Sequence, residues 1–183
     1  MEKIPTLFVR DLATHKVLPT VTPGCEWVLA GEGEPTRKLD GTCCLMRDGR
    51  LYKRREIKPG GAAPSDFEPL GTDEVTGKTV GWVPVGDGPE DAHHREGLAN
   101  DGPLPDGTYE LLGPKVQGNP EGYPAHHLIR HGSIAAAVVP DDLTFEGIRS
   151  ALLQGWRDSH QEGIVWHHPD GRMAKIKAKD FEP

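Results

Sequence analysis

The stretch Lys38-Leu39-Asp40-Gly41-Thr42 decides how the rest of this chain is read. A lysine, one spacer, an acidic residue and a glycine follow a segment punctuated by Gly31, Gly33 and Pro35. They lead into an apolar run, residues 43–46. An uncharged lysine amine held in line can attack a phosphorus atom and form a covalent nucleotidyl intermediate, which divides one hard transfer into two easier ones. Alone, the pentapeptide reads as a solvated surface turn. The choice between the two readings rests on what lies around it.

Residues 42–46 and 50–54 predict two strands joined by Arg47-Asp48-Gly49, because Asp-Gly between β-prone runs is a hairpin signal. Such a hairpin places Lys38 at the entry of one strand and Arg54-Arg55 near the exit of the other, at the same end of an antiparallel pair. The alternative is that Lys53, Arg54 and Arg55 form a solvated edge, since charged edges resist aggregation. Upstream, residues 6–9 and 28–30 predict short strands. Pro19, Pro23, Gly24, Gly31, Gly33 and Pro35 predict loops around them.

Downstream, residues 58–106 are rich in Gly, Pro and acidic side chains. They read as an irregular insertion with one strand at 80–85, around Trp82, and room for one short helix at the His93-His94 pair. Residues 106–113 predict a turn followed by a strand that carries Glu110 within an apolar segment. A buried carboxylate needs partners, so Glu110 is paired to a cation, reserved for a polar ligand, or on an exposed face. His126, His127 and His131 match no helical zinc spacing and read as packing or surface residues. Residues 134–139 predict a buried strand.

Phe145, Ile148, Leu152 and Trp156 recur at helical steps and predict a helix over 144–156, capped by Thr144 or Asp142. A second hairpin follows: 162–166, the turn Pro169-Asp170-Gly171, and 173–177. Its period of two puts Lys175 and Lys177 on one face and Ile176 on the other. Two lysines on one face either grip a phosphate or are simply solvated.

The length, 183 residues, fits one domain with a sizeable core. With 21 Lys+Arg against 28 Asp+Glu, the formal charge is −7, which argues against a protein that coats nucleic acid generally. Twenty-three glycines and 17 prolines favour a sheet-rich fold over a helical bundle. Cys25, Cys43 and Cys44 form no CxxC pair, and their odd number argues for a reducing interior. The longest apolar stretch, 134–139, is too short to span a membrane, and residues 1–10 carry no signal core. Together these predict a cytoplasmic protein with no membrane partner, and no obligate protein partner is evident in the sequence.

Five signals therefore stand in order: Lys38-Leu39-Asp40-Gly41, Arg54-Arg55, Glu110, Glu162-Gly163-Ile164-Val165 and Lys175-Ile176-Lys177. The series resembles the signature of the covalent nucleotidyltransferase superfamily, the ATP-dependent nucleic-acid ligases and mRNA capping enzymes. Within it the chain looks most like small RNA ligases of the RNA ligase 1 type. That likeness is carried by Leu51-Tyr52-Lys53-Arg54, by Thr76-Gly77 with Gly81-Trp82-Val83-Pro84, and above all by Tyr109-Glu110-Leu111-Leu112-Gly113-Pro114-Lys115-Val116-Gln117-Gly118-Asn119-Pro120.

The resemblance implies an α+β fold of antiparallel sheets with flanking helices around an ATP-grasp-like nucleotidyltransferase cleft. Residues 1–183 would form one nucleotidyltransferase domain, with no C-terminal OB domain. Lys38 would attack the α-phosphorus of ATP. Asp40, Gly41, Arg54 (or Arg55), Glu110, Lys175 and Lys177 would bind the nucleotide. Glu162 would hold Mg2+ or Mn2+, directly or through water. AMP would pass to an RNA 5′-phosphate, and an RNA 3′-hydroxyl would displace it, as in RNA repair. The competing readings are a DNA nick ligase using the same chemistry and a non-catalytic nucleotide- or RNA-binding relative.

Overall fold

Asp48 (φ 52°) and Gly49 (φ 72°) both take the left-handed backbone that a two-residue type I′ hairpin loop requires. They fold the chain back so that Met46 faces Leu51 and Cys44 faces Lys53. This computed structural model describes residues 3–74 and 76–181. Its strands, in chain order, are β1 (Phe8–Arg10), β2 (Val17–Val21), β3 (Glu34–Lys38), β4 (Thr42–Arg47), β5 (Arg50–Ile57), β6 (Glu68–Thr72), β7 (Thr79–Pro84), β8 (Gly107–Leu112), β9 (His127–Arg130), β10 (Gly163–His167) and β11 (Met173–Lys177). The helices are α1 (Glu26–Leu29), α2 (Ala92–Asp101) and α3 (Phe145–Ser159). All strand pairings between these elements are antiparallel, and the class is α+β, as expected. No helix among the described residues is long and apolar enough to cross a membrane.

The chain divides into two compact units, Asp40–His131 and Lys3–Leu39 with 132–181. The first is built on a six-stranded sheet in the order β6-β7-β5-β4-β8-β9. One face buries Cys44, Met46, Leu51, Tyr109, Leu111 and Leu128. Helix α2 covers that face at Gly97, where an added Cβ would lie 3.0 Å from Leu111. Polar contacts hold the helix as much as apolar ones do. Asp101 accepts from the Leu128 N–H at 2.6 Å and meets His127 Nδ1 at 2.9 Å, and Asn100 donates to the His126 carbonyl at 2.9 Å.

The second unit has a three-stranded sheet, β11-β10-β3, and the ribbon β1-β2. Its core joins Leu7, Phe8, Trp27, Val28, Ile164, Trp166 and Ile176 to Ile148 and Leu152 of α3. Thr144 caps α3 by accepting from the Gly147 N–H at 3.2 Å, and His160 (φ 50°) ends it in the left-handed conformation.

Several expectations require correction. Residues 28–30 are not a strand: Trp27 and Val28 are buried from the short helix α1. Pro35 is not in a loop but inside β3, opposite Trp166, on the strand that has no further neighbour in its sheet, where a missing N–H costs no ladder bond. Residues 134–139 form no strand beyond an isolated bridge, Thr36 with Ala135. The buried Gln161 side chain takes the place of a neighbouring strand: its Oε1 accepts from Ala137 and Val138 at 2.6 and 3.2 Å, and its Nε2 donates to the Val138 carbonyl at 3.0 Å. Trp156 leaves the apolar stripe of α3 and is 41 % exposed. Strand β6 lies within the segment that reads as irregular, and β9 among histidines that read as packing or surface residues.

Candidate active site

Lys38 ends β3, and the register sets it opposite Gly163 of the central strand β10, which in turn faces Lys177 of β11. Directly opposed residues in antiparallel strands share a face. The same face carries Lys175 and Thr36, both opposite Val165, while Ile164, Ala174 and Ile176 are fully buried on the other. Gly163 therefore leaves a gap between two lysines. A Cβ there would overlap the Ile176 carbonyl oxygen and come 3.0 Å from Lys177 Cα.

The Glu162 carboxylate fills the charge gap. Lys38 Nζ donates to its Oε2 at 2.6 Å and to the Leu39 carbonyl at 3.3 Å. Lys177 Nζ lies 2.5 Å from Glu162 Oε1 as an ion pair without hydrogen-bond geometry, and Lys179 Nζ is 4.0 Å away. The Glu162 side chain is only 6 % exposed. Burial pushes its carboxyl up, but the Lys38 charge, the contacts from Lys177 and Lys38, and the Lys177 charge outweigh that, and the net value falls below the ordinary carboxylate range. The backbone N–H of Lys177 is fixed by Asp180 Oδ2 at 3.0 Å.

In the other unit, Cys43 faces Glu110 and Arg54 faces Trp82. Cys44 and Lys53 share the core face, so alternation puts Cys43, Glu110, Arg54 and Trp82 together on the opposite one. Glu110 Oε1 accepts the Gly41 N–H at 3.0 Å, and Oε2 meets His131 Nε2 at 2.7 Å. Gly41 must lack a side chain, because a Cβ would overlap the Leu111 carbonyl oxygen. The Arg54 Nε is buried with no hydrogen-bond partner among the described residues.

Strand β5 is interior, paired on both sides, which removes the solvated-edge reading for Arg54. Arg55 points to the other face and is exposed, so Arg54 is the one that accompanies Glu110. Lys53, on the core face, is neutralised by the buried Asp91. Asp40 has a polar partner of its own.

Sequence reasoning missed His131 and Cys43. Their Nε2 or Nδ1 and Sγ atoms lie with a Glu110 oxygen inside a 4.8 Å group, a thiol-carboxylate-imidazole set that could hold a cation. The signal was alternation: His131 is two residues after Ile129, which pairs with Glu110. It required the register of β9, which the local sequence does not show.

A family model described as RNA ligase 1 matches residues 100–181, a span that includes Glu110, Glu162, Lys175 and Lys177. RNA ligase 1 of Pongo abelii is 26% identical over an alignment of 257 positions that covers 95% of this chain and 78% of that protein. RNA ligase 1 of Rattus norvegicus is 38% identical over 74 residues, and that of Danio rerio 39% over 74. Each of these shorter matches covers 38% of this chain and 22% of the relative. Residues 109–120 lie inside the span matched by the family model, and the model and these relatives together support an RNA ligase-type protein.

Proposed function

We propose that this chain is an ATP-dependent RNA ligase that works through lysyl-AMP. The observation that carries the reading is the row Lys38–Gly163–Lys177, with one buried carboxylate, Glu162, against both amines. Lys175, Lys177 and Lys179 give that row an excess of positive charge in an otherwise acidic chain. Phosphoryl-type transfer needs positioning and charge neutralisation more than it needs a strong acid or base, which suits such a cluster.

In the first step Lys38 loses its ammonium proton to solvent, its Nζ forms a bond to the α-phosphorus of ATP as the bond to the pyrophosphate oxygen breaks, and the second nitrogen proton is released with the pyrophosphate. AMP then passes to an RNA 5′-phosphate, restoring the free lysine, and a 3′-hydroxyl attacks that phosphate to release AMP. Glu162 orients Nζ before attack. Lys175 and Lys177 meet the phosphate oxygens. Arg54 binds the ribose or a phosphate, Glu110 accepts from ribose hydroxyls, and Asp40 and Gly41 shape the approach to the nucleotide.

Glu162 would also hold Mg2+ or Mn2+, directly or through water. A single hard carboxylate fits such an ion when phosphates and water complete its shell. Both of its oxygens already face ammonium groups, so cation and lysines compete for it. When bound, the ion supplies additional positive charge to the phosphate oxygens.

The test is to incubate the protein and ATP with matched RNA and DNA strands bearing 5′-phosphate and 3′-hydroxyl ends. We expect sealed RNA and an adenylylated RNA intermediate. Sealing of DNA alone would point to a nick ligase, and no adenylylated end with either would contradict the ligase reading.

A further inference from the structure

On the core side of the first unit, away from the face that carries Arg54 and Glu110, His93 and Glu96 sit one turn apart on α2 beside His126. One ligand atom from each lies within 4.8 Å of the other two. His126 is 4 % exposed, and its Nε2 is 2.6 Å from the Pro114 carbonyl oxygen. A carbonyl can only accept, so Nε2 carries a proton, and Nδ1 is the ring nitrogen turned toward Glu96. That Nδ1 is buried without a hydrogen-bond partner among the described residues. Glu96 Oε2 approaches it to 2.9 Å, and contact with the His126 side chain holds the Glu96 carboxyl below its ordinary range.

The surroundings hold this ring in place. Gly113 (φ 137°) lets the backbone come close, since a Cβ there would lie 2.7 Å from His126 Cα. Asn100 of α2 donates to the His126 carbonyl. A buried imidazole nitrogen this close to a carboxylate oxygen needs a proton or a cation between them. An imidazole whose other nitrogen donates to a backbone carbonyl is the usual arrangement for a metal-bound histidine.

We propose that His93, Glu96 and His126 form a site for a borderline divalent cation of the zinc class. His126 Nδ1, Glu96 and His93 supply three ligands and leave a fourth position for water, a donor set that suits zinc. His93 stacks on His126 at 4.2 Å with the rings 17° apart, so it swings out of the stack to bind. The ion ties α2 to His126 and, through the Pro114 carbonyl, to the polar loop after β8. This site is independent of the ligase reading and is tested without turnover.

Metal-stripped full-length protein is titrated with Zn2+ by equilibrium dialysis and with Co2+ by absorption spectroscopy. We expect one high-affinity ion per chain and a higher thermal midpoint with Zn2+. The Co2+ spectrum should be tetrahedral, with no thiolate charge-transfer band. His93→Ala and Glu96→Gln, both substitutions at the helix surface, should each weaken binding at least as much as the roughly 10- to 100-fold cost of losing an outer-shell partner. His131→Ala should bind normally. Absence of binding, unchanged affinity in both helix variants, or a thiolate band that disappears in His131→Ala would each overturn the proposal; the last would move the ion to Cys43, Glu110 and His131.

Discussion

Glu162, just before β10, and Glu110, within β8, are carboxylates with little exposure, 6 % and 12 %, yet their partners differ in kind. Glu162 meets ammonium groups on both oxygens, with a third at 4.0 Å. Glu110 meets a backbone N–H and an imidazole. The first arrangement balances charge: one carboxylate holds several lysines close that would otherwise repel one another. On the proposed reading, phosphate oxygens would take the place of that carboxylate. The second arrangement orients a carboxylate through a backbone N–H and an imidazole, and on the proposed reading it would meet ribose hydroxyls. Substitutions that keep size and remove charge should therefore act very differently at the two positions.

The largest effect is expected from Glu162→Gln. It leaves Lys38 and Lys177 against a neutral amide, so lysyl-adenylate formation should fall by roughly 100-fold or more. Breaking a buried pair should also destabilise the fold by about 3 kcal/mol, read from urea midpoints. Gly163→Ala pushes a methyl group into the Ile176 carbonyl between the two lysines. It should cost roughly 2 kcal/mol and spread the row, measured by the same unfolding assay. Glu110→Gln retains an acceptor, and we expect mainly a weaker apparent affinity for ATP, on the order of tenfold, with the maximal rate less affected. Equal losses at 110 and 162 would erase the distinction between them.

Acid should report on Glu162 directly. Glu162 has a folded-state carboxyl held below its ordinary value, so the stability it contributes is complete above the ordinary carboxylate range. That contribution declines as pH falls below about 4.3, through the lowered folded value. Urea midpoints followed from neutral pH into this range should drop less steeply for Glu162→Gln than for the wild type. The smallest contrast is between the adjacent arginines. Arg54→Ala should weaken ATP binding more than Arg55→Ala, since only Arg54 shares a face with Glu110.

Much of this architecture was legible where turn chemistry is local. Asp48-Gly49 and Pro169-Asp170-Gly171 located both hairpins, and the alternation of Lys175, Ile176 and Lys177 survived intact. Helix α3 followed from its stripe and its Thr144 cap. Helix α2 was only partly visible because Asp101 and Asn100 anchor it, not an apolar stripe. The apolar run 134–139 misled because Gln161, far along the chain, satisfies its backbone. At the site, residue identities were readable but partnerships were not. Lys38 meets Glu162 only because β3 pairs with β10 across more than a hundred residues, and a carboxylate expected to hold a metal is found between two amines.

The most direct measurement is to incubate the protein with ATP labelled on the α-phosphate, digest it, and map the label by mass spectrometry. A single acid-labile adenylyl group on Lys38, absent in Lys38→Ala and absent when only the γ-phosphate is labelled, is the expected result. Label retained in Lys38→Ala, or bound to another lysine of the cluster, would contradict the assignment.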